Sequence, residues 1–298
     1  MRHILFSIVI FLVIFWARQA YCDWEEMIQV NTSSYEKQAP RDSDCPWPIA
    51  ADRNGNVYTI WEDRHNGYLE IWTRKRNSDG SWNSQEKISN EPEIQIPNYG
   101  HPSICVLLGN EPPWLLACYV RENDYNLPRE LRGNTFDGTE WGDPSFYISD
   151  DDNDPNLVLP NSSSGWGTNI VALSDGKAYA FWQYIVSGDI ELWFNEYDQG
   201  WTPGDEKAVY DDDGYDPHYS RHENACVDED NNIHLVYSDD KSGQNEIYYL
   251  TKKPQDDDFG EYPGYQVSSS PANVNSLYPY CTISKVADTT FLHVVWST

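Results

Sequence analysis

Apolar and polar residues alternate in short runs along this chain, and five of these runs end on Trp or Tyr. The first reads Val57-Tyr58-Thr59-Ile60-Trp61 and follows a polar turn at 52–56. Its counterparts end at Tyr119, Trp182, Tyr237 and Trp296, which gives intervals of 58, 63, 55 and 59 residues by subtraction of the residue numbers. Alternation indicates half-buried β-strands, and regular intervals of this length indicate a repeated supersecondary unit.

Each repeat contains four stretches with strand character, which we label A to D in chain order. Clusters of Gly, Pro, Asn and Asp separate them, and almost no segment has helical periodicity. In the first repeat the stretches are 47–51, 57–62, 69–74 and 82–89. Stretch C carries an acid before its apolar residues, at Glu70, Glu130, Glu191 and Glu246. The pattern predicts an all-β protein built from four-stranded antiparallel units.

The two ends of the chain predict how these units are arranged. Residues 24–31 match strand D but follow no strand A, B or C. A leading outer strand of this kind closes a ring of blades by completing the sheet from the other end of the chain. The fifth repeat supplies strand A at 280–284 and strand B at 291–297 and no strand C, through truncation or an irregular last blade. The prediction is a β-propeller with five visible repeats, an incomplete last blade and an N-terminal strand that closes the ring.

Residues 1–22 have the composition of a secretory signal peptide. A basic start precedes an apolar run at 4–17, and cleavage is expected after Cys22. The run is shorter than the roughly 20 apolar residues of a membrane span, and no later segment approaches that length. Lipid attachment at Cys22 is the alternative to cleavage and release. The expected mature protein is a single β-propeller domain, 23–298, secreted or at the cell surface, in an extracellular or periplasmic setting.

The chain is strongly acidic, with 48 Asp and Glu against 20 Lys and Arg and a formal net charge of −28. Such a field repels nucleic acid and anionic membranes. The high content of Trp and Tyr argues against disorder, because these side chains supply the burial that disordered acidic chains lack. The expected partner is an extracellular glycan or protein, and the expected state is a monomer.

Five cysteines follow the predicted cleavage point, an odd number that does not form a dense disulfide framework. Cys105 and Cys118 flank a turn and are candidates for opposite positions on a hairpin. The alternative is that the cysteines at similar repeat positions are small buried residues. The five are Cys45, Cys105, Cys118, Cys226 and Cys281.

The turns between strands C and D share an Asp or Asn, a Gly and a following Trp, at 77–82, 136–141 and 198–201. They resemble shortened Asp-box (BNR) turns of the sialidase-like propeller superfamily, whose fuller pattern is Ser-x-Asp-x-Gly-x-x-Trp. In such a turn the Asp accepts backbone hydrogen bonds, the Gly adopts a positive φ and the Trp packs between blades. The resemblance extends over most of the mature chain and implies the propeller fold.

Sialidases of this type also carry an arginine triad and a Phe/Tyr-Arg-Ile-Pro segment on an early inner strand. The nearest match here, 46–50, has no arginine. The residues that remain as candidates for a carboxylate clamp are Arg64, Arg121 and Arg221. The resemblance therefore implies the fold more strongly than the activity.

Acidic residues recur where strand B leads into strand C, at the rim that also holds the D-to-A loops. Glycoside hydrolysis needs two carboxyl groups at a fixed separation, so these acids are candidates for a catalytic pair. The alternative is that they cap hairpins, because acids recur at this place in most repeats. The candidates are Asp63, Glu122, Asp189, Asp239 and Asp240.

Two D-to-A loops, 150–155 and 211–217, are denser in acids than the rest. Clustered carboxylates suit Ca²⁺, which takes six to eight oxygen ligands, although solvated acidic loops are the alternative. The candidate ligands are Asp150, Asp152, Asp154, Asp211, Asp213 and Asp216.

Aromatic and histidine side chains stand near the starts of the predicted inner strands, on the same rim. Aromatic faces beside polar groups hold sugar rings, and packing between blades is the alternative role. The candidates are Trp47, Tyr99, His101, Trp166, Tyr219, His222 and Tyr278, with Tyr280 beside them.

The favoured function from sequence is a secreted, non-catalytic module that binds a glycan or a protein. An exported glycoside hydrolase that uses rim carboxylates is the alternative. A binding or spacer domain of a longer surface protein is a third hypothesis.

Overall fold

The computed structural model describes eleven stretches of the chain, all within one compact unit, 34–298. They are residues 49–65, 68–89, 98–107, 115–122, 129–142, 146–149, 168–186, 189–202, 204–209, 221–260 and 263–298. Within these stretches the elements are β-strands, and no helix there is long and apolar enough to cross a bilayer. The predicted signal peptide, the closing strand at 24–31 and Cys45 lie outside the described residues.

The strands form four four-stranded antiparallel sheets and one two-stranded sheet, in chain order, and we call these sheets blades 1 to 5. Blade 1 contains β1 (Ile49–Ala51), β2 (Val57–His65), β3 (Tyr68–Arg76) and β4 (Glu86–Lys87). Blade 2 contains β5 (Asn98–Val106), β6 (Leu115–Glu122), β7 (Arg129–Phe136) and β8 (Phe146–Tyr147). Blade 3 contains β9 (Asn169–Ala172), β10 (Ala178–Val186), β11 (Asp189–Tyr197) and β12 (Lys207–Ala208). Blade 4 contains β13 (Arg221–Val227), β14 (Ile233–Asp239), β15 (Glu246–Lys252) and β16 (Tyr265–Gln266), and blade 5 contains β17 (Leu277–Val286) and β18 (Thr289–Ser297).

This arrangement confirms the predicted order of strands A to D and the incomplete last blade among the described residues. The aromatic end of strand B is buried in the complete blades, where Tyr119, Trp182 and Tyr237 are 0–1% exposed. In blade 5 the equivalent Trp296 is 38% exposed. The difference follows from pairing, because β18 has β17 as its only partner within the described sheet.

The hydrophobic core consists of clusters that each join two consecutive blades. Ile60 and Ile71 of blade 1 pack with Ile104 and Leu115 of blade 2. Equivalent clusters join blade 2 to blade 3, blade 3 to blade 4, and blade 4 to blade 5. Full burial of such a side chain contributes about 1.5–3 kcal/mol, so the core holds neighbouring blades face to face.

The Asp-box-like turn at 136–141 has the geometry that its residues predict, whereas in the turn at 198–201 the positive φ is at Gln199 (61°) and not at Gly200. Asp137 Oδ1 accepts hydrogen bonds from the backbone N–H groups of Thr139 (2.8 Å) and Glu140 (2.9 Å), and Gly138 has a φ of 98°. Trp141 follows, pairs with Phe136 and packs against the cluster that joins blades 1 and 2. The tryptophan therefore packs between blades, as the motif predicts.

The four described cysteines are buried and carry free thiols. This confirms that Cys226 and Cys281 are small buried residues. Cys105 lies opposite Leu116, and Cys118 lies opposite Ser103. The expectation that Cys105 and Cys118 face each other directly is therefore wrong, because the ladder offsets them by two residues.

Candidate functional site

Three inner strands, β5, β13 and β17, have the same irregularity near their starts. In each, the inner strand has one residue more than its partner over a short interval, which is a β-bulge. The residue pairs on either side of each bulge are Gly100–Val120 and Ser103–Cys118 in blade 2, Arg221–Ser238 and Asn224–Val236 in blade 4, and Leu277–Ser297 and Tyr280–Val295 in blade 5. We call these features the rim bulges of blades 2, 4 and 5. Bulges recur beside active sites, where they redirect side chains.

The rim bulges contain three of the residues that the sequence predicts to bind a ligand. His101, His222 and Tyr278 occupy the same register position in the three strands. The side chains of His101 and His222, and that of Tyr99, lie outside what the structure describes. The backbone thus brings these predicted positions to equivalent places in three blades.

Tyr278 is held in an unusual conformation at the rim bulge of blade 5. Its φ is 54°, in the left-handed region that glycine favours, and the residue is 38% exposed. A bulky residue in this region costs on the order of 1–3 kcal/mol and persists where the surrounding structure imposes it. The fold therefore holds Tyr278 at the rim despite this conformational cost.

Glu223 lies in the rim bulge of blade 4 and is 5% exposed. Its Oε2 accepts a 2.5 Å hydrogen bond from Nε2 of Gln183, on β10 of blade 3. Burial, with a smaller contribution from the charge of Glu223, raises the pKa of the Cys118 thiol in blade 2 to about 12. Glu223 therefore lies at a junction of residues from three blades.

The side chain of Glu62 in blade 1 likewise extends to a neighbouring blade, blade 2. It is 4% exposed, and a Cβ added to Gly100 would lie 3.1 Å from its Oε1. The side chain thus ends against the rim bulge of blade 2, where glycine leaves room for it. Two buried carboxyl groups, Glu62 and Glu223, therefore lie at two different rim bulges.

Buried polar groups continue along the inner strands. Ser103 and Asn169 occupy equivalent positions in blades 2 and 3 and are fully buried. Within the described part of the chain, the Ser103 hydroxyl and the Asn169 amide make no hydrogen bond. Because burying such groups unpaired costs about 1–3 kcal/mol each, they are groups that water or a ligand would satisfy.

Neither Glu62 nor Glu223 is among the candidates that the sequence pattern selects. Glu62 follows the aromatic end of strand B, where other repeats have Val120, Gln183 and Ser238. Glu223 stands where the other two rim bulges have proline, at Pro102 and Pro279. Glu62 and Glu223 therefore differ from the residues at the equivalent positions of the other repeats. This difference can be recognised once the strand pairing at the bulges is known.

The predicted acids Asp63 and Asp239 lie within strands rather than in loops, because the β2–β3 ladder extends past Asp63 and Asp239 is the last paired residue of β14. Asp63 lies opposite Glu70, Asp239 lies opposite Glu246, and both aspartates are buried. Asp239 Oδ1 accepts a 2.8 Å hydrogen bond from the backbone N–H of Lys241. Asp239 thus caps its hairpin, and Asp240 follows β14 in a half-buried position.

Glu246 fastens the loop that leads into blade 5. Its carboxylate accepts hydrogen bonds from the Ser268 hydroxyl, from the Ser270 backbone N–H (2.8 Å) and from Gln244 Nε2 (2.8 Å). Burial opposes its ionisation, but these hydrogen bonds hold the pKa of Glu246 below its usual range. Ser276 N–H donates to Asn245 O (2.8 Å) at the end of the same loop, two residues before Tyr278. These contacts position the rim bulge of blade 5.

Arg121 lies opposite Tyr99 and Glu130 and is half-buried. Arg64 and Glu122 lie near the ends of β2 and β6, and Arg221 and Asp189 begin β13 and β11. The side chains of Arg64, Glu122, Asp189 and Arg221 lie outside what the structure describes. The arginine clamp therefore stays a prediction.

The remaining predicted site residues fall outside the described stretches. These are Trp47, Trp166 and Tyr219 and the calcium candidates Asp150, Asp152, Asp154, Asp211, Asp213 and Asp216. Among the residues that the structure describes, no group of three or more His, Cys, Asp and Glu side chains is placed to hold a metal ion. Calcium binding at the two acidic loops stays a prediction.

No protein-family model matches the sequence, and no curated protein matches it. Many solved structures are similar in fold, among them three at 11–15% sequence identity. The GH93 α-L-arabinofuranosidase of Fusarium graminearum, in complex with arabinobiose, matches with a TM-score of 0.54 and 11% identity over 86% of this chain and 77% of that one. The exo-β-1,3-galactanase of Clostridium thermocellum matches with a TM-score of 0.50 and 15% identity over 82% of this chain and 53% of that one. A Hadza microbial sialidase matches with a TM-score of 0.50 and 12% identity over 80% of this chain and 49% of that one.

The chain spans about half the length of the galactanase and of the sialidase. At these identities the likeness concerns the fold. It agrees with the order and the packing of the blades described above. The chain therefore has the β-propeller fold that the sequence predicts.

Proposed function

We propose that this protein is a secreted module that binds an extracellular glycan at the rim bulges. The observation that carries the proposal is Tyr278, which is partly exposed at a φ of 54° within a bulge. The same register position holds His101 and His222 in two other blades. A fold that repeats one irregularity three times, each time with an aromatic or imidazole residue, supports a ligand surface at this rim.

The chemistry of the rim suits a sugar. A tyrosine ring offers an apolar face to the C–H groups of a sugar and a hydroxyl at its edge. Buried polar groups without hydrogen bonds, such as the Ser103 hydroxyl and the Asn169 amide, suit sugar hydroxyls or the waters that accompany them. Two of the similar structures are enzymes named for galactan and arabinofuranoside, which adds support for a carbohydrate ligand.

Non-catalytic binding is favoured because two acids of blade 4, one on each side of the turn between β14 and β15, have structural roles. Asp239 caps its hairpin, and Glu246 fastens the loop before blade 5. These hydrogen bonds keep both carboxylates engaged within blade 4. They are therefore poor choices for an acid and base pair.

A glycan array followed by calorimetry on the best ligand tests this proposal. Tyr278→Ala removes the ring from the rim and is expected to weaken binding about tenfold or more, as loss of a sugar-stacking aromatic does. Tyr265→Ala is the matched control, because Tyr265 is 73% exposed on the outermost strand of blade 4. Absence of any glycan ligand, or equal losses in the two variants, would refute the proposal.

A second function, glycoside hydrolysis, is favoured by one observation, the burial of Glu62 and Glu223 at two rim bulges. Hydrolysis uses two carboxyl groups, one protonated and one ionised, and burial favours the protonated form of a carboxyl. A panel of chromogenic galactosides, arabinofuranosides and sialosides tests it. Turnover that falls about 100-fold in Glu62→Gln and Glu223→Gln, but not in the exposed control Glu140→Gln, would establish hydrolysis in place of binding alone.

A further inference from the structure

Two buried cysteines meet where blade 5 packs on blade 4. Cys226 is on β13 and Cys281 is on β17, the first strands of these blades. Cys281 N–H donates a 2.8 Å hydrogen bond to Asn224 Oδ1, which fixes one inner strand against the other. Both cysteines belong to the same buried cluster, with Val236 and Ile247.

The Cys281 thiol lies directly over the part of blade 4 that carries Cys226. Its Sγ is 3.6 Å from the carbonyl oxygen of Asn224 and 3.7 Å from that of His234. Asn224 is two residues before Cys226 on β13, and His234 is the residue opposite Cys226 on β14. The adjoining thiol of Cys226, together with burial, raises the pKa of Cys281 far above its usual range.

Cys105 and Cys118 provide a contrast within the same molecule. They are on one hairpin, but Cys105 is opposite Leu116 and Cys118 is opposite Ser103. Diagonal neighbours of this kind are about 7–8 Å apart, beyond the 4.4–6.8 Å between Cα atoms that a disulfide usually spans. The register therefore separates this pair, whereas the packing of β17 on β13 brings Cys226 and Cys281 together.

We propose that Cys226 and Cys281 form a disulfide bond that joins blade 5 to blade 4 when the protein folds in the presence of a disulfide oxidant. The thiolate of one cysteine attacks the S–S bond of the oxidant, for example oxidised glutathione, and releases one small thiol. The second cysteine then displaces the other half of the oxidant. Two protein S–H bonds and one oxidant S–S bond are broken, and one protein S–S bond and two small thiols are formed.

The timing of the reaction follows from burial. In the folded protein Cys226 is 8% exposed and Cys281 is 3% exposed, so an oxidant reaches them poorly. Oxidation therefore takes place before β17 packs against β13. The bond closes a chain segment between residues 226 and 281, and this constraint on the unfolded chain is expected to raise Tm by roughly 5–10 °C.

Differential alkylation tests the proposal on the full chain. The protein is refolded with or without oxidised glutathione, denatured in iodoacetamide, reduced, labelled with a second reagent and digested for mass spectrometry. In the oxidised sample Cys226 and Cys281 should take only the second label and appear, before reduction, in one linked peptide pair. Cys105 and Cys118 should take the first label in both samples.

Variants extend the test to stability. Cys226→Ser and Cys281→Ser should each abolish the rise in Tm that the oxidant produces, whereas the Cys105→Ala/Cys118→Ala variant should retain it. Full first labelling of Cys226 and Cys281 in the oxidised wild-type protein would overturn the proposal, as would their linkage to other cysteines. The labelling experiment uses the wild-type protein, so it can still refute the proposal if a variant fails to fold.

Discussion

Gln183 Nε2 in blade 3 donates a 2.5 Å hydrogen bond to Glu223 Oε2 in blade 4, and both side chains are buried. A hydrogen bond to a buried carboxylate contributes more than one between neutral groups, because losing it leaves a charge poorly solvated. The contact also joins two blades at a rim bulge. It therefore couples the packing of blades 3 and 4 to the candidate site.

Removal of the donor should destabilise the protein. Gln183→Leu is expected to lower the free energy of unfolding by about 2 kcal/mol, because the Glu223 carboxylate loses a buried partner. Urea denaturation measures the change, and Gln183→Leu combined with Glu223→Leu should recover part of the loss. A Gln183→Leu variant as stable as the wild type would show that the hydrogen bond does not hold the blades together.

The strained backbone at Tyr278 predicts that a glycine variant at this position is more stable than an alanine variant. Glycine adopts a φ of 54° without a Cβ penalty, so Tyr278→Gly should be about 1 kcal/mol more stable than Tyr278→Ala. Ala287, in the turn between β17 and β18, has a φ of 53° and serves as a control, since Ala287→Gly should stabilise by a similar amount. Thermal unfolding of the variants measures both differences. If alanine is as stable as glycine at 278, the backbone there carries no strain.

The fold is predictable from sequence because its signals are local. The alternation that ends at Trp61 defines a strand from adjacent residues alone, and the turn at Asp137 and Gly138 needs only its own backbone. The order of strands within each blade then follows from short antiparallel connections. For these reasons the blade boundaries agree with the structure to within a few residues.

The candidate site is less predictable because it depends on pairing between strands. The extra residue between Gly100 and Ser103 exists only relative to Val120 and Cys118, so no local pattern reveals the bulge. The reach of Glu62 to Gly100 likewise depends on how blade 1 packs on blade 2. Sequence reasoning selects His101, His222 and Tyr278 as near the rim and overlooks the buried acids beside them.

The hydrogen bonds to Glu246 predict a loss of stability in acid. Its pKa is lowered in the folded state, so the unfolded chain binds the proton more readily, and stability falls as pH drops below the ordinary glutamate value of 4.5. The contribution of Glu246 to the free energy of unfolding should stay level between pH 7 and about 5 and then decrease. Glu246→Gln should be less stable at pH 7 and lose less on acidification. An equal pH dependence in the variant and the wild type would exclude Glu246 as a contributor.

Gly264, which precedes β16, should be the least replaceable glycine of blade 4. Its φ is 76°, and an added Cβ would lie 2.3 Å from the Tyr249 carbonyl oxygen and 2.6 Å from Leu250 Cδ2. Gly243 is the control for backbone strain without a clash, because its φ is 90° and an added Cβ would have no atom within 4 Å. Gly243→Ala should therefore lose about 1 kcal/mol and Gly264→Ala about 3 kcal/mol or more, because β16 must move away from β15. Urea denaturation of the two variants gives the comparison, and equal losses would mean that β16 accommodates the methyl group without moving.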